Sequence, residues 1–305
     1  MQNLAPEAYL RPDVIQQVQR FDLKAKFLIE GFLSGLHSSP YKGFSVEFSE
    51  HRKYVRGDDF RAIDWKLWSR TNKYYVKQFE AETNLTGTLV VDISASMGYA
   101  GPGQKVSKLQ YSTYLAGALA YMMLRQQDPV GLATCDSDVR TFLPARSKTS
   151  HLYSILKTLS ETKPTGGTNF AAALHRVAEM VQHRGLMILF TDLFDDAGEA
   201  KLIDALSHLR YRGHDVILFH VLDAAETQFP FSELTRFEDV EGIAESTTAD
   251  PSSIRTGYLK ELEKFRSYFK DECTRRRIDF VPVDTSVSFD KPLMAYLQKR
   301  CGMCL

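Results

Sequence analysis

Asp92, Ser94 and Ser96 form an Asp-x-Ser-x-Ser string directly behind Thr88-Leu89-Val90-Val91, a short apolar run suited to a strand buried on both faces. Two further signals sit at comparable places. Asp192 closes Phe190-Thr191-Asp192 behind a second apolar run, and Thr168 ends Gly166-Gly167-Thr168, the loop entering the helix before that run. In an open parallel sheet, ligands bind beyond the carboxyl ends of the strands, where the strand order reverses. If the two strands are neighbours there, two carboxylates and three hydroxyls converge. Such a set is all oxygen with two negative charges. It suits a hard divalent cation, Mg²⁺ or Mn²⁺, and offers no soft donor for zinc or copper. Hydroxyl ligands are neutral, so the ion keeps charge with which to attract a carboxylate from another molecule. The plainer alternative is that Asp92 and Ser94 cap a loop and Asp192 a helix. The placement of all three signals at strand or helix boundaries weighs against it.

Catalytic readings fit less well. A strand-end aspartate invites comparison with Mg²⁺-dependent phosphatases, but those carry a second acid where this chain has Ser94. The loop Gly98 to Lys105 lacks the Gly-Lys-Ser/Thr order of a phosphate cradle, and Pro102 removes a backbone donor. No His-Glu-x-x-His pair or Gly-x-Ser-x-Gly elbow is present, and His175 and His183 are too far apart to hold one metal together. The expectation is a protein that binds without catalysing. The alternative is a Mg²⁺-dependent phosphoryl hydrolase using Asp92.

The elements that must position these residues alternate between strand and helix from Leu85 onward. They predict a doubly wound α/β fold with a mostly parallel sheet. Helices are expected near 106–127, 169–183, 199–212 and 254–277, with Ser150 capping another that carries Leu152, Ile155, Leu156 and Leu159. Strands are expected at 88–92, 130–135, 186–191, 216–221 and 278–283, and a short helix near 292–299. The tight turn Asp136-Ser137-Asp138 makes 139–143 an antiparallel edge strand. A hairpin insertion is expected near 227–250. Residues 1–84 read as a smaller N-terminal α+β module with a helix near 12–34, and 85–305 as the main domain.

Lys+Arg and Asp+Glu both number 38, so no global field favours nucleic acid or an anionic membrane. No basic-then-apolar leader and no run of about 20 apolar residues is visible, which points to a cytoplasmic setting without membrane partners. The tail Cys301-Gly302-Met303-Cys304 has CxxC spacing, but Cys135 and Cys273 stand alone, so neither a zinc site nor a redox pair is favoured.

Asp92-x-Ser94-x-Ser96, Thr168 and Asp192 resemble the metal-ion-dependent adhesion site of von Willebrand factor A domains. The resemblance implies direct metal contacts from Ser94, Ser96 and Thr168, with Asp92 and Asp192 acting largely through water. One departure is Leu193, where the family usually has glycine. A broader resemblance rests on Phe44-Ser-Val-Glu-Phe48, Arg52-Lys-Tyr54, Gly57-Asp58-Asp59-Phe-Arg61-Ala-Ile-Asp64-Trp65 and Ser69-Arg70. These look like the signature of domain-of-unknown-function family fifty-eight, commonly encoded beside MoxR-type AAA+ ATPases. That implies a metal-dependent adaptor that holds an acidic side chain of a protein partner and works with such an ATPase in protein remodelling or maturation. The box interleaves Arg52, Arg56, Arg61 and Arg70 with Asp58, Asp59 and Asp64. It suits an intramolecular ion-pair network, or a docking surface.

Overall fold

The computed structural model describes residues 46–55, 63–81, 85–104, 106–167, 169–238, 246–287 and 291. Compact units divide between Asn84 and Leu85. In the first, β1 (Val46–Lys53) and β2 (Tyr75–Ala81) pair antiparallel, with an irregularity between Phe48 and Glu50. Between them lies α1 (Trp65–Thr71). Asp64 starts this helix, its Oδ1 accepting hydrogen bonds from Lys66 N at 2.9 Å and Leu67 N at 3.1 Å. This aspartate of the box is therefore a helix cap. Trp65 stands 54% exposed with its ring edge-on to Trp68, and Trp68 stacks on Tyr74. Residues 56–62 of the box lie outside the described residues, as do the helix expected at 12–34, the short helix near 292–299 and the Cys301/Cys304 tail.

The second unit is an α/β sandwich on a six-stranded sheet. Its strands are β3 (Gly87–Asp92), β4 (Val130–Cys135), β5 (Val139–Arg146), β6 (Leu186–Thr191), β7 (Asp215–Leu222) and β10 (Asp279–Asp284), in spatial order β10-β7-β6-β3-β4-β5. All neighbours are parallel except β4 and β5. The chain thus builds outward from β3 on one side, then returns to place β6 on the other. The reversal of order falls between β3 and β6, which is the crevice such sheets use for ligands. β3, β4 and β6 are buried along their whole length, as near-continuous Val, Leu and Ile runs require.

Helices α2 (Lys108–Arg125), α3 (Thr149–Glu161), α4 (Phe170–Met180), α5 (Glu199–Tyr211) and α7 (Pro251–Arg275) flank the sheet, with a five-residue α6 (Ala224–Gln228) after β7. Ser107 and Gln110 close a reciprocal capping box at the start of α2. Ser150 does not cap α3. The cap position is Lys148, and Ser150 lies inside the first turn. The remaining boundaries fall within a few residues of those expected. Two short strands, β8 (Thr235–Phe237) and β9 (Thr247–Ala249), pair antiparallel between α6 and α7. Among the described residues no helix is long and apolar enough to cross a membrane.

Candidate functional site

Asp92 is the last residue of β3, and Asp192 follows the last residue of β6. Val91 lies beside Phe190 in the parallel register, so the two aspartates leave adjacent strand ends. Both are fully buried, as is Ser94, while Ser96 is half-buried in the short 3-10 turn Ala95–Gly98. Ser94 and Ser96 hydroxyls are 3.1 Å apart. Thr168 lies outside the described residues, but its loop is tied to the first motif on the near side. Thr165 N donates to Ile93 O at 2.8 Å, and Ala95 N donates to Gly166 O at 3.3 Å. Four of the five expected residues, and the loop leading to the fifth, are gathered at the switch point.

The carboxylates are held by short-range bonds. Asp92 Oδ1 accepts from Ser94 N at 2.9 Å, and its Oδ2 accepts from Thr191 Oγ1 at 2.6 Å. Asp192 Oδ1 accepts from Phe194 N at 3.1 Å. Burial first, and then the charge of Asp192, push the Asp92 carboxyl up to about 7 against the pull of the Thr191 and Ser94 bonds. Burial and the charge of Asp192 both penalise an ionised Asp92, so a cation beside it would be stabilising. The donor set is oxygen throughout, so a hard divalent ion fits it. Asp92, Ser94, Ser96 and Asp192 would hold it.

Leu193 explains how the loop keeps its shape without glycine. Its φ is +63°, the left-handed region that side chains resist. The strain, about 1 kcal/mol or more, is offset by a leucine side chain only 2% exposed in the core and by Leu193 N donating to Thr191 Oγ1 at 3.0 Å.

Several residues around the motif were not anticipated. Lys108 Nζ donates to Asp192 Oδ2 and to Glu226 Oε1, both at 2.8 Å, from a side chain 1% exposed. Burial alone would lower its pKa, but the two carboxylates outweigh it and raise it, so the group is an ammonium. A lysine in the first turn of a helix runs against the macrodipole, and that mismatch was the available signal. Asp136, buried at the end of β4, accepts from Arg140 Nε at 2.6 Å and Thr165 Oγ1 at 2.9 Å, anchoring the Gly166-Gly167 loop. His220 on β7 meets the Asp192 backbone oxygen through Nε2 at 3.1 Å. Burial holds its pKa down to about 4, so the ring is neutral and Nε2 carries the donated hydrogen. The thiols of Cys135 and Cys273 are buried and unbridged, with burial pushing Cys273 up to about 12. Both are inert packing residues.

Beside the motif, Phe194 stands 41% exposed and stacks on Phe265. A groove of about 440 Å³ continues from it, lined also by Tyr258, Tyr268, Glu199 and Glu261.

Sequence comparison finds uncharacterized proteins of Mycobacterium tuberculosis and Mycobacterium bovis, each 25% identical over 260 residues, spanning 84% of this chain and 80% of theirs. Among solved structures, the conserved hypothetical protein BatB from Bacteroides thetaiotaomicron matches at 16% identity and a TM-score of 0.45, covering 72% of this chain and 99% of that one. The SpRpn10 VWA domain matches at 13% identity and a TM-score of 0.41, covering 70% and 95%. Residues 50–268 match the family described as "Protein of unknown function DUF58", and the chain belongs to that family.

Proposed function

We propose that this chain is a metal-ion-dependent adaptor that captures a protein partner through an acidic side chain and works with a MoxR-type AAA+ ATPase in protein remodelling or maturation. The reading rests on one observation: Asp92, Ser94, Ser96 and Asp192 converge at the sheet's switch point, with the Gly166-Gly167 loop tied alongside. A bound Mg²⁺ or Mn²⁺ would supply an electrophilic centre that accepts the partner's carboxylate. The chain's own residues orient the site. Thr191 and Ser94 fix the Asp92 carboxylate, and the Phe194 N–H holds Asp192 Oδ1 while its ring stands 41% exposed. Full burial of Asp92 weighs against its acting as a nucleophile, since both its oxygens already accept hydrogen bonds.

Calorimetric titration of Mg²⁺ and Mn²⁺ into wild type and Asp92→Ala tests this. The expected result is binding by the wild type that the variant loses, with partner capture sensitive to EDTA in the same way. Capture that persists in EDTA and in Asp92→Ala would sink the proposal.

A further inference from the structure

Lys108 is costly where it stands. It opens α2 against the helix dipole, it is 1% exposed, and it gives two of its three protons to carboxylates 2.8 Å away. The faces of Tyr99 and Phe194 enclose the ammonium at 5.9 and 5.6 Å. Buried ion pairs rarely add net stability over apolar side chains of similar volume, so stability alone does not account for this one. Its geometry relative to the candidate metal site is more telling. Asp192 leaves the strand end beside Asp92, its Oδ1 accepts from Phe194 N at 3.1 Å, and its Oδ2 is taken by Lys108. Glu226 holds the lysine from behind and is itself fixed by Asp223 N, which donates to its Oε2 at 2.7 Å. With all groups ionised, Asp92, Asp192 and Glu226 carry three negative charges and Lys108 one positive charge. These four groups alone carry a net of two negative charges, and the buried Asp223 beside Glu226 adds to the negative field.

We propose that Lys108 is an internal counter-cation of the metal site: tethered by Glu226, it draws on the Asp192 carboxylate, so that the site binds its ion less tightly and leaves that ion more attractive to a partner's carboxylate. The proposal rests on the metal-binding reading above. Charge already committed to the ammonium is not available to the metal, and an ion less neutralised by the protein holds an external anion more strongly. Glu226 sets how much of the ammonium's charge falls on Asp192. The two substitutions therefore act in opposite directions, a pattern that loss of packing would not produce.

The test is Mn²⁺ titration of the full chain, followed by acetate titration of the Mn²⁺-loaded protein with water-proton relaxation as the readout. Lys108→Met is expected to bind Mn²⁺ about tenfold more tightly and to need about tenfold more acetate to displace metal-bound water. Glu226→Gln is expected to weaken Mn²⁺ binding severalfold. Lys108→Met/Glu226→Gln, which leaves no unpaired Glu226, is expected to fall between Lys108→Met and wild type. Failure of the wild type to take up Mn²⁺ removes the metal-binding reading, and this proposal with it. Wild-type binding with Lys108→Met unchanged or weaker overturns the counter-cation role alone. If Lys108→Met does not fold, unchanged or tighter binding by Glu226→Gln overturns it.

Discussion

Thr191→Val is the sharpest probe of how the site is built into the sheet. The substitution keeps the branched shape on a residue with no exposed surface, so packing in β6 is preserved. What goes is one hydroxyl with two duties. It donates to Asp92 Oδ2 at 2.6 Å and accepts from Leu193 N at 3.0 Å. A hydrogen bond to a charged group contributes about 1.5–3 kcal/mol, and an orphaned buried amide costs about 1–3 kcal/mol. Because the losses share one atom, the expected destabilisation is about 3 kcal/mol, or roughly 6–12 °C in Tm for a domain this size. Thermal and urea unfolding followed by circular dichroism would measure it. A double-mutant cycle with Asp92→Ala then isolates the first duty. In that background only the Leu193 amide is orphaned, so the cost should drop to about 1 kcal/mol and the coupling should be about 2 kcal/mol. A Thr191→Val cost below about 0.5 kcal/mol, or a coupling near zero, would refute the idea that this hydroxyl braces both aspartate loops.

If the proposed site takes Mg²⁺, Asp136→Ala should weaken its binding by about tenfold or more without removing any of the proposed ligands, because the Thr165 hydroxyl loses its anchor. Unchanged affinity in calorimetry would show that the Gly166-Gly167 loop holds itself. Asp128 lies far from the site and reports on pH. Burial pushes its carboxyl up to about 6, partly offset by the Leu85 N–H it accepts at 3.2 Å. Its folded pKa lies above the unfolded value, so its ionisation costs stability as pH rises from about 4 to 6, and the cost is constant above that. In urea unfolding at pH 7.5, Asp128→Asn should therefore be more stable than wild type by about 1 kcal/mol after allowance for solvent screening. The gap should close by pH 4, and a gap that persists there would contradict the assignment.

The sheet was legible because its strands are pure in type. Leu186-Met187-Ile188-Leu189-Phe190 cannot sit half-exposed, and the turn at Asp136-Ser137-Asp138 leaves β5 only an antiparallel place. The placement of Asp92, Ser94, Ser96 and Asp192 was legible because each follows or ends a run that can only be a buried strand or its connecting turn. Lys108 was missed for the opposite reason. Its partners lie 84 and 118 residues away in sequence, and a lysine near a helix start reads as a solvated surface group until those partners are placed. His220 was hidden in the same way, as a residue of a buried strand whose ring reaches a backbone oxygen on the neighbouring β6–α5 connection. Ser150 was misjudged because several polar residues compete near the start of α3, and local chemistry does not choose between them.

Leu193 joins two demands in one residue: a left-handed backbone directly after Asp192, and a side chain locked in the core. A glycine there could swing the peptide plane at little cost, letting the loop toggle between arrangements. Leucine would have to leave its hydrophobic seat to do so. The loop after Asp192 therefore behaves as a fixed anvil, and any rearrangement at this end of the sheet must travel through other parts of the rim.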